Sequence, residues 1–244
     1  NTHKIKKYSS ATSSVSITFI PDWKRFGMTK MDDSIYKIFE KRVYDANICT
    51  SQNCKVKFQG EALAKASFNT YAKMYTKSDE MCTFTSDRWS VCIAPSDDGF
   101  EHVSFVNGIC TTKVGSHVDH VSGILANGVI EDMAKKIKLR PQQVKNAFFV
   151  FVKATLVNPS FSSQVKSECT LKPQDFGSKF EPPKTFIKNI LKTSVQSELM
   201  ALSKFREMKE LKKTDGSRKS KITGIPKLDD ANKAGTTHSG KCTL

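Results

Sequence analysis

The chain has 244 residues, 38% of them hydrophobic, enough for a sizeable core in one or two domains. Its 39 Lys and Arg against 24 Asp and Glu leave a formal charge of +15, which favours polyanionic partners, nucleic acid first among them. No apolar run approaches the roughly 18 to 20 residues that cross a bilayer, residues 1–10 lack the apolar core of a signal peptide, and seven cysteines without a Cys-x-x-Cys pair argue against a zinc site and a disulfide framework, so an intracellular chain with reduced thiols is expected.

In chain order, Val15, Ile17 and Phe19 alternate with polar residues and predict a half-buried strand that ends at Pro21-Asp22. A helix is expected from Asp32-Asp33, where carboxylates meet free N–H groups and the positive end of the dipole, with Ile35, Ile38, Phe39, Val43 and Ala46 on its buried face. Lys55 to Phe58 reads as a strand closed by Gly60, and Phe68 to Tyr75 as a short aromatic helix. The polar patch Lys77-Ser78-Asp79-Glu80 marks a domain boundary.

Beyond it, Trp89, Val91 and Ile93 alternate, Ser96 to Gly99 supplies turn chemistry, and Val103, Phe105 and Ile109 continue on a second strand, so a hairpin is expected. His117 to Lys138 predicts a long helix with Val118, Val121, Ile124, Leu125 and Val129 inward, and Ala147 to Leu156 an interior strand. From Lys184 the apolar spacing is helical through Phe205, a long exit helix. Between Lys204 and Lys221, eight Lys or Arg against three acids read as a flexible basic connector. Together this is an α+β chain.

Three constellations bear on chemistry. Asn158-Pro159 breaks the Ala147 to Val152 strand, and the following loop carries Gln164 and Lys166. A lysine at such a tip presents a compact charge with three donors, suited to a terminal phosphate, and Gln164 adds neutral hydrogen bonds; a solvated polar loop is the bland alternative. Lys135, Lys136 and Lys138, with Arg140, end the long helix, where lysines also favour the negative end of the dipole. That cluster and Arg218, Lys219 and Lys221 lack interleaved aromatics or a base-reading helix, so any DNA contact is with phosphate and blind to sequence.

His117 and His120 share a helix face, but a third and fourth metal ligand have no source, so polar residues at a helix start are the better reading and no metal site is expected. Gly235 to Cys242 nearly spells a phosphate-binding loop, yet it lacks a strand before it, and Cys242 replaces the metal-ligating hydroxyl.

Several segments, in order, closely resemble the eukaryotic-type DNA topoisomerase II family: Thr18-Phe19-Ile20-Pro21-Asp22 with Phe26, Arg42-Val43-Tyr44-Asp45, Ser104 to Ile109, Gly115 to Asp119, Asn158 to Lys166, Phe176-Gly177-Ser178, and Gly224 to Asn232. His117 fits that pattern, whereas His120 stands where an aromatic residue is common. The resemblance implies the end of a GHKL-type ATP-binding α/β sandwich (1–78), a transducer domain with a left-handed βαβ unit and a long C-terminal helix (79–203), and a basic helix and linker leading toward the Toprim and DNA-cleaving region (204–244). It implies that Gln164 and Lys166 contact the γ-phosphate of ATP, with only Val165 departing from the usual Gln-Thr-Lys. Lys135, Lys136 and Lys138 correspond to a lysine-rich loop that touches DNA.

The same resemblance implies a homodimer passing one double-stranded DNA through another with ATP and Mg²⁺, in the nucleus, or in the virion or host cytoplasm if the chain is viral. The general-base glutamate, the glycine-rich lid, most metal ligands and the DNA-linking tyrosine are expected outside this chain, and an acidic Glu-Gly-Asp-Ser motif soon after Leu244. A non-enzymatic basic scaffold that binds nucleic acid is the alternative.

Overall fold

The computed structural model describes residues 13–214, divided after Tyr44 into two compact units. The first unit contains a segment without regular structure at 13–20, a short 3₁₀ turn Trp23–Phe26, and most of helix α1 (Asp33–Cys49), which continues into the second. Asp32 caps α1, its Oδ1 accepting from Ile35 N at 2.8 Å, as its position before Asp33 predicts. Two expectations fail here. The segment at 15–19 forms no strand, because among the described residues no chain pairs with it, and Val15, Ile17 and Phe19 are exposed. The expected inner face of α1 is also wrong: Ile38, Phe39 and Ala46 are exposed, and the buried residues are Asp45, Asn47 and Ile48 near its C-terminal end.

In the second unit, β1 (Lys57–Phe58) and β2 (Glu61–Ala62) form a two-residue hairpin through Gln59 and Gly60, both with positive φ. Helix α2 (Phe68–Ala72) follows, capped by the Ser67 hydroxyl. The chain then enters a sheet made of β3 (Cys82–Thr85), β4 (Trp89–Pro95), β5 (Glu101–Val106), β6 (Ile109–Thr111) and β7 (Phe148–Ala154), in the order β3-β4-β7-β5-β6. Between β6 and β7 lie α3 (Ser116–Met133) and α4 (Pro141–Asn146); after β7 come α5 (Lys184–Ile190) and α6 (Ser194–Thr214). The α+β expectation therefore holds, and β5, α3 and parallel β7 make a βαβ unit.

The hairpin expected between the strands at Trp89 and Val103 does not form. β7 inserts between β4, to which it is antiparallel, and β5, to which it is parallel. Its seven residues, Phe148 to Ala154, are buried except for Lys153, and a strand so largely apolar gains most by occupying the centre of a sheet covered on both faces. Phe148, Val150, Val152 and Ala154 join the core with α3, α4, α5 and α6. Phe149 and Phe151 face the other way, where Tyr75 meets both rings. The turn that does close a hairpin is Asn107-Gly108, with φ of 49° and 79°, which ends β5 three residues before the sequence pattern does.

Two further helices are shorter than expected. α3 stops at Met133, so Lys135, Lys136 and Lys138 lie in the turn beyond it. The exit helix breaks at 191–193, where the Thr193 hydroxyl donates to Ile190 O at 2.6 Å and accepts from Val195 N at 3.4 Å, closing α5 and capping α6. The Lys77 to Glu80 patch lies within the second unit, and Glu80 Oε2 takes the N–H of Ser194 at 2.7 Å. Hydrogen bonding from Ser194, its side chain first and its backbone N–H second, lowers the Glu80 carboxyl below its usual range. The connector at Arg218, Lys219 and Lys221, the segment Gly224 to Asn232 and the loop-like Gly235 to Cys242 lie outside the described residues.

Candidate phosphate-sensing loop and basic groove

After β7 the chain turns through Asn158, whose φ is 46°, and Pro159 into a narrow loop. Thr170 N donates to Ser160 O at 2.9 Å and Ser162 N to Glu168 O at 3.1 Å, with Phe161 and Cys169 facing as an antiparallel bridge. This short ladder carries a turn at 163–166, closed by Lys166 N to Ser163 O at 2.9 Å. Gln164 and Val165 are exposed at the tip, and Lys166 follows in left-handed backbone, φ 59°. A non-glycine residue there is strained by about 1 kcal/mol or more, a cost that concentrates at functional positions. The Lys166 ammonium lies 5.7 Å from the Phe161 ring centroid. It has no carboxylate partner among the described residues, and the Gln164 amide makes no hydrogen bond there either. Both groups are therefore available to an external acceptor.

The loop is tied to the rest of the fold at two places. Lys113 N donates to Ser167 O and Ser116 N to Cys169 O, both at 2.9 Å, joining it to the start of α3. On the other side, Asn107 exchanges two hydrogen bonds with the backbone of Leu156. Asn107 and Gly115-Ser116 lie in segments that carry the family resemblance, Ser104 to Ile109 and Gly115 to Asp119, but the sequence assigned them no role at the site; the Asn-Gly dipeptide signals the turn at the first.

Lys135, Lys136 and Lys138 are exposed on the turn after α3 and line a groove with Arg206 and Glu207 of α6. Ile137 anchors the turn by packing on the core. Nothing in the sequence marks Arg206 as a member of this group, because α3 and α6 are far apart in the chain. Its guanidinium donates to Gln143 Oε1 at 3.1 Å, and the same oxygen accepts from Arg140 N at 2.9 Å at the start of α4. Four cations thus converge against one carboxylate, a potential suited to phosphate groups.

The histidines do other work. His117 is fully buried, its Nε2 3.3 Å from Thr111 Oγ1, and Thr111 pairs with Ser104. Burial pushes its pKa down to about 4. His120 packs its ring on Phe176 at 5.5 Å and Trp89 at 6.4 Å, filling an aromatic position. Among the described residues no three His, Cys, Asp or Glu side chains converge on one point.

The chain thus folds as a mixed sheet backed by helices, with the loop that bears Lys166 following its central strand. The fold is similar to the crystal structure of the ATPase region of Saccharomyces cerevisiae topoisomerase II, with a TM-score of 0.70 and 33% identity over 75% of this chain and 48% of that one. Residues 56–210 match the DNA gyrase B family, and the chain belongs to it. Among curated relatives it is 36% identical to DNA topoisomerase 2 of Saccharomyces cerevisiae, over 99% of this chain and 18% of that protein. Against DNA topoisomerase 2 of Acanthamoeba polyphaga mimivirus it is 39% identical, over 99% and 20%. The chain thus spans about a fifth of the length of these relatives.

Proposed function

We propose that this chain is the part of an ATP-dependent type II DNA topoisomerase that senses the terminal phosphate of ATP and passes the nucleotide state on toward a DNA gate. The single observation that carries this reading is Lys166: an ammonium with no carboxylate partner among the described residues, on a strained, ladder-supported loop that follows the central strand. In this proposal Lys166 and Gln164 bind the γ-phosphate, and the lysine offsets charge developing on the phosphoryl oxygens during transfer to water. Loss of that phosphate removes the ligand holding the loop, an order-and-release switch.

Lys135, Lys136 and Lys138 contact the backbone of double-stranded DNA in the same reading. Residues 1–78 complete an ATP-binding domain, 79–203 form the transducer, and 204–244 lead toward the cleavage region. The whole enzyme acts as a homodimer in the nucleus, with most of its Mg²⁺ ligands outside this chain.

The test is Lys166→Ala in the complete enzyme: ATP turnover should fall by about 10²- to 10³-fold, as when one charge contact to a transition state is removed, while nucleotide binding changes less. Near-normal strand passage would assign Lys166 to the solvated surface.

A further inference from the structure

Gly115, immediately before α3, has φ −110°, a backbone any residue adopts, so conformation does not explain the absence of a side chain. The close approach of a second backbone does explain it. A Cβ at residue 115 would sit 2.8 Å from both the N and the O of Cys169, and these backbone atoms have no rotamer by which to escape. The next residue uses the same carbonyl twice: Ser116 N reaches Cys169 O at 2.9 Å, and Ser116 Oγ reaches it at 3.2 Å. Two residues earlier, Lys113 N holds Ser167 O, the carbonyl directly after Lys166. The returning arm of the lysine loop is therefore pressed backbone to backbone against the start of an 18-residue helix whose inner face is fixed in the core.

We propose that Gly115 and Ser116 are positioning residues for Lys166, fixing the height and angle at which its ammonium meets the γ-phosphate; this rests on the γ-phosphate role proposed for Lys166. The loop's own ladder has few rungs, and the left-handed turn at Lys166 has other backbone states open to it. The clamp at Cys169, three residues from Lys166, removes them. Displacing a reacting group by about 1 Å costs rates on the order of 10²-fold, so the clamp acts on the chemical step and not on ATP affinity.

Steady-state ATP hydrolysis by the complete enzyme carrying this chain tests it. Ser116→Ala, which keeps the backbone bond, should lower kcat about three- to tenfold with KM for ATP within about twofold, and Ser116→Thr, which keeps the hydroxyl, should restore it. Gly115→Ala should lower kcat by about 10²-fold. Thermal melting accompanies each variant, and if Gly115→Ala fails to fold, the serine pair carries the test. The double variant Ser116→Ala with Lys166→Ala should be no slower than Lys166→Ala alone, since a residue acting through another adds nothing once that one is gone. Multiplying losses in the double variant overturn the clamp while leaving Lys166 in its role. A raised KM with unchanged kcat also overturns it. Near-normal turnover in Lys166→Ala removes the γ-phosphate reading, and the clamp with it.

Discussion

Asn107 holds Leu156 by both backbone groups: its Nδ2 donates to Leu156 O at 3.0 Å and its Oδ1 accepts from Leu156 N at 2.8 Å. A turn residue with positive φ thereby fixes the end of β7 and the entry to the lysine loop. Asn107→Ala loses both bonds, leaves half-buried backbone groups unpaired and puts alanine at φ 49°, so the chain should lose about 2 to 3 kcal/mol of stability. Chemical denaturation of the 244-residue chain measures this; a change below about 0.5 kcal/mol would show that water replaces the side chain fully.

At Lys166, two substitutions separate backbone strain from charge. Lys166→Gly and Lys166→Ala both remove the ammonium, but only glycine is relaxed at φ 59°. Lys166→Gly should therefore be more stable than Lys166→Ala by about 1 kcal/mol in denaturant titrations. Equal midpoints would mean that the loop relaxes out of the left-handed state in both.

Replacing Lys135, Lys136 and Lys138 together by Ala should weaken binding of duplex DNA without altering sequence preference. The log–log dependence of affinity on salt should fall by up to about three units, roughly one for each phosphate that is no longer neutralised. An unchanged slope assigns these lysines to the electrostatics of the helix end, with Arg206 left as the groove's pinned cation.

The buried His117 makes stability depend on pH in a defined direction. Its folded pKa, near 4, lies below the ordinary histidine value, so between those values the unfolded chain binds the extra proton. Its contribution is present in full above about pH 6.5 and is lost as pH falls toward 4, amounting to on the order of 3 kcal/mol. Burial shifts His102 and His120 downward too, in the same sense. Melting curves from about pH 7 to about pH 4.5 should show the decline, and His117→Gln should flatten it; an unaltered slope would place the titration elsewhere.

Local signals in the sequence were enough to place several elements and the loop that bears Lys166. Asp32 as a cap, the turn at Gln59-Gly60, the apolar run at Ala147 to Val152 and the Asn158-Pro159 break all act over a few residues, so their physics is contained in neighbouring letters. Pairing and packing were not so contained. The strands at Trp89 and Val103 carry the alternation of a hairpin, but β7 lies between them, because the most apolar strand gains most from two covered faces. Val15 to Phe19 has the pattern of a strand and no partner among the described residues, and a strand is defined by its neighbour's hydrogen bonds. The same holds at the site. Gln164 and Lys166 could be named from one segment, whereas Arg206 beside Lys136, and Gly115 against Cys169, are separated by long stretches of chain. Only the tertiary fold, which brings α6 to the end of α3 and the lysine loop to its beginning, decides those neighbours.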